Sequence, residues 1–130
     1  MRALPLIRIL MRLSITVLLV LGILFWTGHA YALVQVHMAF GLVFVLGLWA
    51  LAGIAAGRGA PLPAVLAAIV LGLAVLALGM TQTRLLPGGY HWLIRLLHLA
   101  LGMAAMGIAE RLGRGVAGPA AAAPGAAKAT

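Results

Sequence analysis

Four long apolar stretches separated by short breaks make up most of this chain. They run from about Leu6 to Thr27, with the strongest core at Leu13–Trp26, then from about Tyr31 to Ala56, Leu62 to Gln82 and His91 to Arg111. Each is close to the roughly 20 residues that a helix needs to cross about 30 Å of hydrocarbon. The breaks TGHAY, GRGAPLP and TRLLPGGY carry glycine and proline turn chemistry. The pattern predicts an all-α fold, an integral membrane four-helix bundle over residues 1–113. Residues 114–130 are rich in Ala, Gly and Pro and have little to bury, so a disordered cytoplasmic tail is expected there.

Composition strengthens the membrane reading. Of 130 residues, 65% are hydrophobic and 8% charged, against roughly a quarter charged in a soluble domain. Mean hydropathy is +1.22. The pI near 12.0 comes from only nine basic residues, and these are scattered, which points to membrane orientation and not to a nucleic-acid partner. In the four-span arrangement Arg2, Arg8, Arg12, Arg58, Arg111, Arg114 and Lys128 share one side, while Arg84 and Arg95 fall on or near the other. That bias places both termini in the cytoplasm and the chain in the cell inner membrane. Arg8 and Arg12 would snorkel to the inner interface. Glu110, the one acid, is expected to pair with Arg114 at i+4. A competing reading takes residues 1–32 as a signal peptide cleaved after HAYA. It would leave three spans and a new amino terminus at the bilayer surface.

Two histidines interrupt the apolar runs, in VQVHMAFG (34–41) and RLLHLALG (95–102). Spans two and four both enter from the outer face, and His37 lies six residues past Tyr31 while His98 lies seven past His91. At 1.5 Å per residue both sit about 9 to 10 Å below the outer helix ends. Two imidazoles at one depth on parallel helices suit ligation of a single metal. Gly41 and Gly102 follow at i+4 on the same helix faces, where a missing side chain would admit a flat macrocycle. Small residues also serve plain helix packing in lipid. Arg95, at i−3 from His98, is placed to pair with an outward-pointing propionate or to snorkel to the headgroups. Arg84, Tyr90 and His91 could reach the same edge.

These features resemble the membrane b-type cytochromes, including the four-helix cytochrome b561-like proteins. The resemblance covers roughly residues 6–112 and is architectural. It implies one heme b with His37 and His98 as axial metal ligands; Gly41, Gly102 and Arg95 are cofactor-binding candidates by their helix spacing alone. Members with two haems need histidine pairs at two depths, whereas here the inner half has none and His29 and His91 lie at the outer surface. One haem near the outer face is therefore expected, exchanging electrons with a quinol or a periplasmic redox protein. The shared His-x-Ala-x-Gly pattern also suggests a duplicated helical hairpin with a two-fold axis along the membrane normal.

Other functions stay open at this point. The histidines could hydrogen-bond across helices in a cofactor-free accessory subunit of a larger membrane complex or homo-oligomer. Each could instead ligate the magnesium of a bacteriochlorophyll. A zinc or copper site would want further ligands at that depth. A small transporter usually carries a membrane-buried carboxylate, and Gln35, Ser14, Thr16, Gln82 and Thr81 are too scattered to mark a path. Without cysteine, disulfides, thiolate sites, iron–sulfur clusters and covalently attached haem are excluded. The chain shows no paired carboxylates, nucleophile–base set or phosphate loop of an enzyme. Met38 and Met80 read as packing residues. Trp26 and Trp92 read as outer-boundary aromatics, and Trp49 as interfacial or packing.

Overall fold

A computed structural model describes residues 3–118. Four helices follow one another: α1 (Ala3–Trp26), α2 (Val34–Gly57), α3 (Leu62–Thr81) and α4 (His91–Ala117), with single 3-10 turns at Tyr31–Leu33 and Gln82–Arg84. Each is long and apolar enough to cross a membrane. The all-helical architecture and the four segments expected from the sequence are present.

The connections explain the up-and-down course. α2 stops where Gly59 takes a left-handed φ of +78°, which glycine adopts without a Cβ penalty. The Ala60 N–H then returns to the Ala55 carbonyl at 3.0 Å, closing the helix end. Pro61 caps α3 and Pro63 sits in its first turn, where a missing N–H costs nothing. At the opposite end, both connections contain a non-glycine residue with positive φ, Ala30 at 59° and Leu86 at 44°.

α2 is the central helix: it packs on α1, α3 and α4. Its buried face is Phe44, Val45, Leu48, Leu51, Ala52 and Ala55, one stripe at helical spacing. Its neighbours come close through small residues. Ala68 and Gly72 are buried on α3, as are Ala105, Ala109 and Gly113 on α4, each series spaced by four. Among apolar surroundings such spacing lets backbones approach and replaces the hydrophobic drive with van der Waals contact. A Cβ on Gly72 would lie 3.0 Å from Trp49 Cε2 and collide with its Nε1, and one on Gly47 would lie 2.8 Å from Met11 Cγ. Trp49 is therefore a packing residue of the bundle, not an interfacial one.

α1 and α4 meet sparsely, at the end where α1 begins. There Arg12 Nε donates to Glu110 Oε1 at 2.8 Å, and Arg12 Nη2 and Arg8 Nη2 donate to Oε2 at 3.1 and 3.0 Å. The expected Glu110–Arg114 pair is thus corrected. Two guanidiniums from another helix, one of them bidentate, outcompete a single local partner. The duplicated hairpin is only approximate for the same reason: α2 packs extensively on α3, whereas its counterpart, α4 on α1, is reduced to this ion cluster.

α4 also runs past Arg111, through Arg114 to Ala117, where a disordered tail was expected to begin. Leu112 and Val116 are buried on one face, Gly113 lies beneath Arg8, and Arg58 Nη1 donates to the Val116 carbonyl. Those contacts hold the last turns in place. The rest of the expected tail, residues 119–130, lies outside the described residues, as do Arg2 and Lys128 of the charge count. Among the described residues Arg8, Arg12, Arg58, Arg111 and Arg114 gather at one end of the bundle, with Arg84 and Arg95 toward the other. We call these the arginine end and the histidine end.

Candidate functional site

His37 belongs to the first turn of α2 and His98 to the third turn of α4. Both helices start at the histidine end, and their packing brings the rings together. The imidazole centroids stand 6.5 Å apart, with planes at 42°. The equal depth read from the sequence is therefore accompanied by actual approach.

Polar atoms at this site lack partners. Nδ1 of His37 and Nδ1 of His98 are both buried and make no hydrogen bond among the described residues. A buried polar atom left unpaired costs about 1–3 kcal/mol, and such atoms call for a specific explanation. Arg8 Nε and Trp49 Nε1 are likewise buried without a partner, but only the two imidazoles face each other.

Glycines back the rings, but from the neighbouring helices. A Cβ on Gly22 of α1 would meet His37 Cε1 at 3.9 Å, and one on Gly79 of α3 would meet His98 Cε1 at 3.2 Å. Each hairpin thus places a glycine of its first helix against the imidazole of its second. Phe25 completes the wall, its ring centroid 5.4 Å from that of His37. It is fixed in turn by Tyr31, which stacks on it at 6.1 Å and donates its hydroxyl to the Phe25 carbonyl at 3.0 Å.

The residues singled out in the sequence are distributed unevenly around this pair. Gly41 faces α1, where its Cβ would meet Leu18 Cδ2 at 3.9 Å and nothing of His37 within 4 Å. Gly102 faces open space, with no heavy atom within 4 Å of its Cβ position. Arg95 is half-buried on α4, and the chain's one acidic side chain is engaged at the opposite end, so no carboxylate side chain neutralises it. Arg84 and Tyr90 are exposed in the α3–α4 connection. His91 donates Nδ1–H to the Leu85 carbonyl at 3.1 Å, and His29 pairs with the Thr27 hydroxyl at 3.2 Å; these two imidazoles have local structural partners.

Sequence reasoning missed Gly22, Gly79 and Phe25. Their signal was faint: a glycine in the last turns of α1 and α3, and an aromatic one residue before Trp26. Among the described residues no group of three or more His, Cys, Asp or Glu gathers to hold a metal. Two imidazoles alone are fewer donors than a protein metal site ordinarily supplies. No family model, curated protein or solved structure matches the chain.

Proposed function

We propose that this chain is a four-span protein of the inner membrane with both termini in the cytoplasm, and that it carries electrons through one b-type haem held by His37 and His98. The orientation rests on the five arginines at the arginine end against two toward the other, the sense of the positive-inside rule. It puts the histidine pair near the outer face.

The observation that carries the haem reading is the 6.5 Å between imidazole centroids. A metal–imidazole nitrogen bond is about 2 Å, and that nitrogen is about 1.1 Å from its ring centroid. Two imidazoles facing each other across one metal therefore have centroids about 6.2 Å apart. The observed 6.5 Å leaves room for a metal between the rings, and it also lies within the roughly 4.5–7 Å of ordinary ring contacts.

Bound there, haem would supply one-electron exchange with a quinol or a periplasmic redox protein. The chain's own contribution is to hold and shield. Gly22 and Gly79 leave the imidazoles room to seat against α1 and α3, Phe25 covers His37, and the open side at Gly102 leaves space along α4. Arg95 stands one turn nearer the outer face than His98, suited to a carboxylate of the macrocycle's edge. With one histidine pair at one depth, the chain would hand electrons along the outer side and not across the bilayer.

Titration of haemin into the apo-protein in detergent tests this. Saturation at one haemin per chain is expected, with loss of the saturable phase in His37→Ala and in His98→Ala. Binding that survives in both variants would overturn the assignment. A wild-type protein that takes up no haemin would instead favour the accessory-subunit reading.

A further inference from the structure

At the arginine end a cleft of about 320 Å³ opens between the α2–α3 turn and the last turns of α4. Its rim carries Arg58 and Arg111, and its walls are the apolar surfaces of Ala55, Ala64, Leu112 and Val116. We propose that this cleft binds the phosphate headgroup of an anionic phospholipid between Arg58 and Arg111, with an acyl chain running down the apolar wall.

The charge balance around the cleft is the first argument. The chain has one acidic side chain, and both oxygens of Glu110 are occupied by Arg8 and Arg12. No carboxylate side chain remains for Arg58 or Arg111, so two cations line one cleft without an acidic partner. An anion there would supply the missing counter-charge. Phosphate also matches the donor fork of guanidinium.

Arg58 is already held in place, because its Nη1 donates to the Val116 carbonyl. That bond ties the α2–α3 turn to the end of α4 and leaves the remaining guanidinium N–H groups for a ligand. The first turn of α3 has no side-chain cap, and Pro61 and Ala64 of that turn line the same cleft, so the positive end of the helix dipole adds to the field. The combination of a cationic rim with an apolar wall selects an amphiphile over a small inorganic anion. A basic pocket between helices on the cytoplasmic side is the setting in which anionic headgroups are held.

The test follows the thermal midpoint of the detergent-purified protein while phosphatidylglycerol, phosphatidylcholine or inorganic phosphate is added. Phosphatidylglycerol should raise the midpoint saturably, phosphatidylcholine should do much less, and millimolar inorganic phosphate should neither reproduce nor compete with the effect. Half-saturation should move to higher lipid by about fivefold in Arg111→Gln and again in Arg58→Gln/Arg111→Gln. Arg58→Lys/Arg111→Lys, which keeps the charge and loses the fork, should recover only part of the response, and Arg84→Gln at the other end should leave it unchanged. Arg111 is exposed, so Arg111→Gln reads the site without endangering the fold. Equal shifts with the two lipids, or an undiminished phosphatidylglycerol response in the double glutamine variant, would overturn the proposal. A shift reproduced by inorganic phosphate would assign the cleft to a soluble anion instead.

Discussion

The backing of the histidine pair by glycine predicts an asymmetry between two chemically identical changes. A methyl group added at Gly22 would lie 3.9 Å from His37 Cε1, while one added at Gly79 would lie 3.2 Å from His98 Cε1 and 3.9 Å from its Nε2. Carbon atoms rest at about 3.5–4.0 Å, so Gly22→Ala fits as built and Gly79→Ala pushes the His98 ring by about 0.4 Å. Replacing a helical glycine with alanine contributes about 0.5–1 kcal/mol in either place. At Gly79 overpacking opposes this with about 1–3 kcal/mol. The net expectation is a gain of about 0.7 kcal/mol for Gly22→Ala and a loss of about 1 kcal/mol for Gly79→Ala. At about 4 °C per kcal/mol for a chain of this size, the two unfolding midpoints should differ by about 7 °C. Far-ultraviolet circular dichroism of both variants in one detergent, heated side by side, reads this directly. Equal midpoints, or a higher midpoint for Gly79→Ala, would refute the placement of α3 against His98.

Other contacts make equally specific claims. Gly47→Ala and Gly72→Ala both insert a Cβ into α2's packing, but Met11 can bend away while the Trp49 indole cannot. The Gly72 variant should therefore lose about 2 kcal/mol more in thermal or denaturant unfolding, and comparable losses would contradict this. Glu110→Gln should lower the thermal midpoint by several degrees, because it leaves Arg8 and Arg12 facing each other without their shared carboxylate. Arg12→Gln added to it should lower the midpoint little further, and strict additivity in that double-mutant cycle would sink the ion cluster. Ala30→Gly should stabilise by up to about 1 kcal/mol, since the left-handed φ of 59° penalises alanine and not glycine. A destabilised Ala30→Gly protein would mean that this turn is built differently.

What the sequence disclosed depends on which forces are local. Span lengths and turn positions were legible because apolar runs and Gly/Pro punctuation are written in contiguous residues. The common depth of His37 and His98 was legible because parallel helices and equal offsets from the outer ends bring two residues to one level whatever the helix rotation; their approach was not, because it depends on that rotation. Rotation itself was not legible. α2 and α3 are apolar on every side, so their patterns do not mark an inward face, and Gly22, Gly79 and Phe25 become significant only once the helices are docked. The Glu110 partner was missed for a related reason. The i+4 rule sees only Arg114, whereas Arg8 and Arg12 arrive from α1, about a hundred positions away in the chain. The end of α4 was placed too early because Ala/Gly/Pro composition weakens a helix locally, while Leu112, Val116 and the Arg58 bond hold it through tertiary contact.

The most direct test of the central claim is a visible spectrum of the detergent-purified protein, oxidised and then reduced with dithionite, alongside His37→Ala and His98→Ala. A sharp reduced α band of low-spin bis-histidine haem in the wild type, lost in each variant, is the predicted result. A colourless wild-type protein produced with ample haem supply, or a band that persists in both variants, would contradict it.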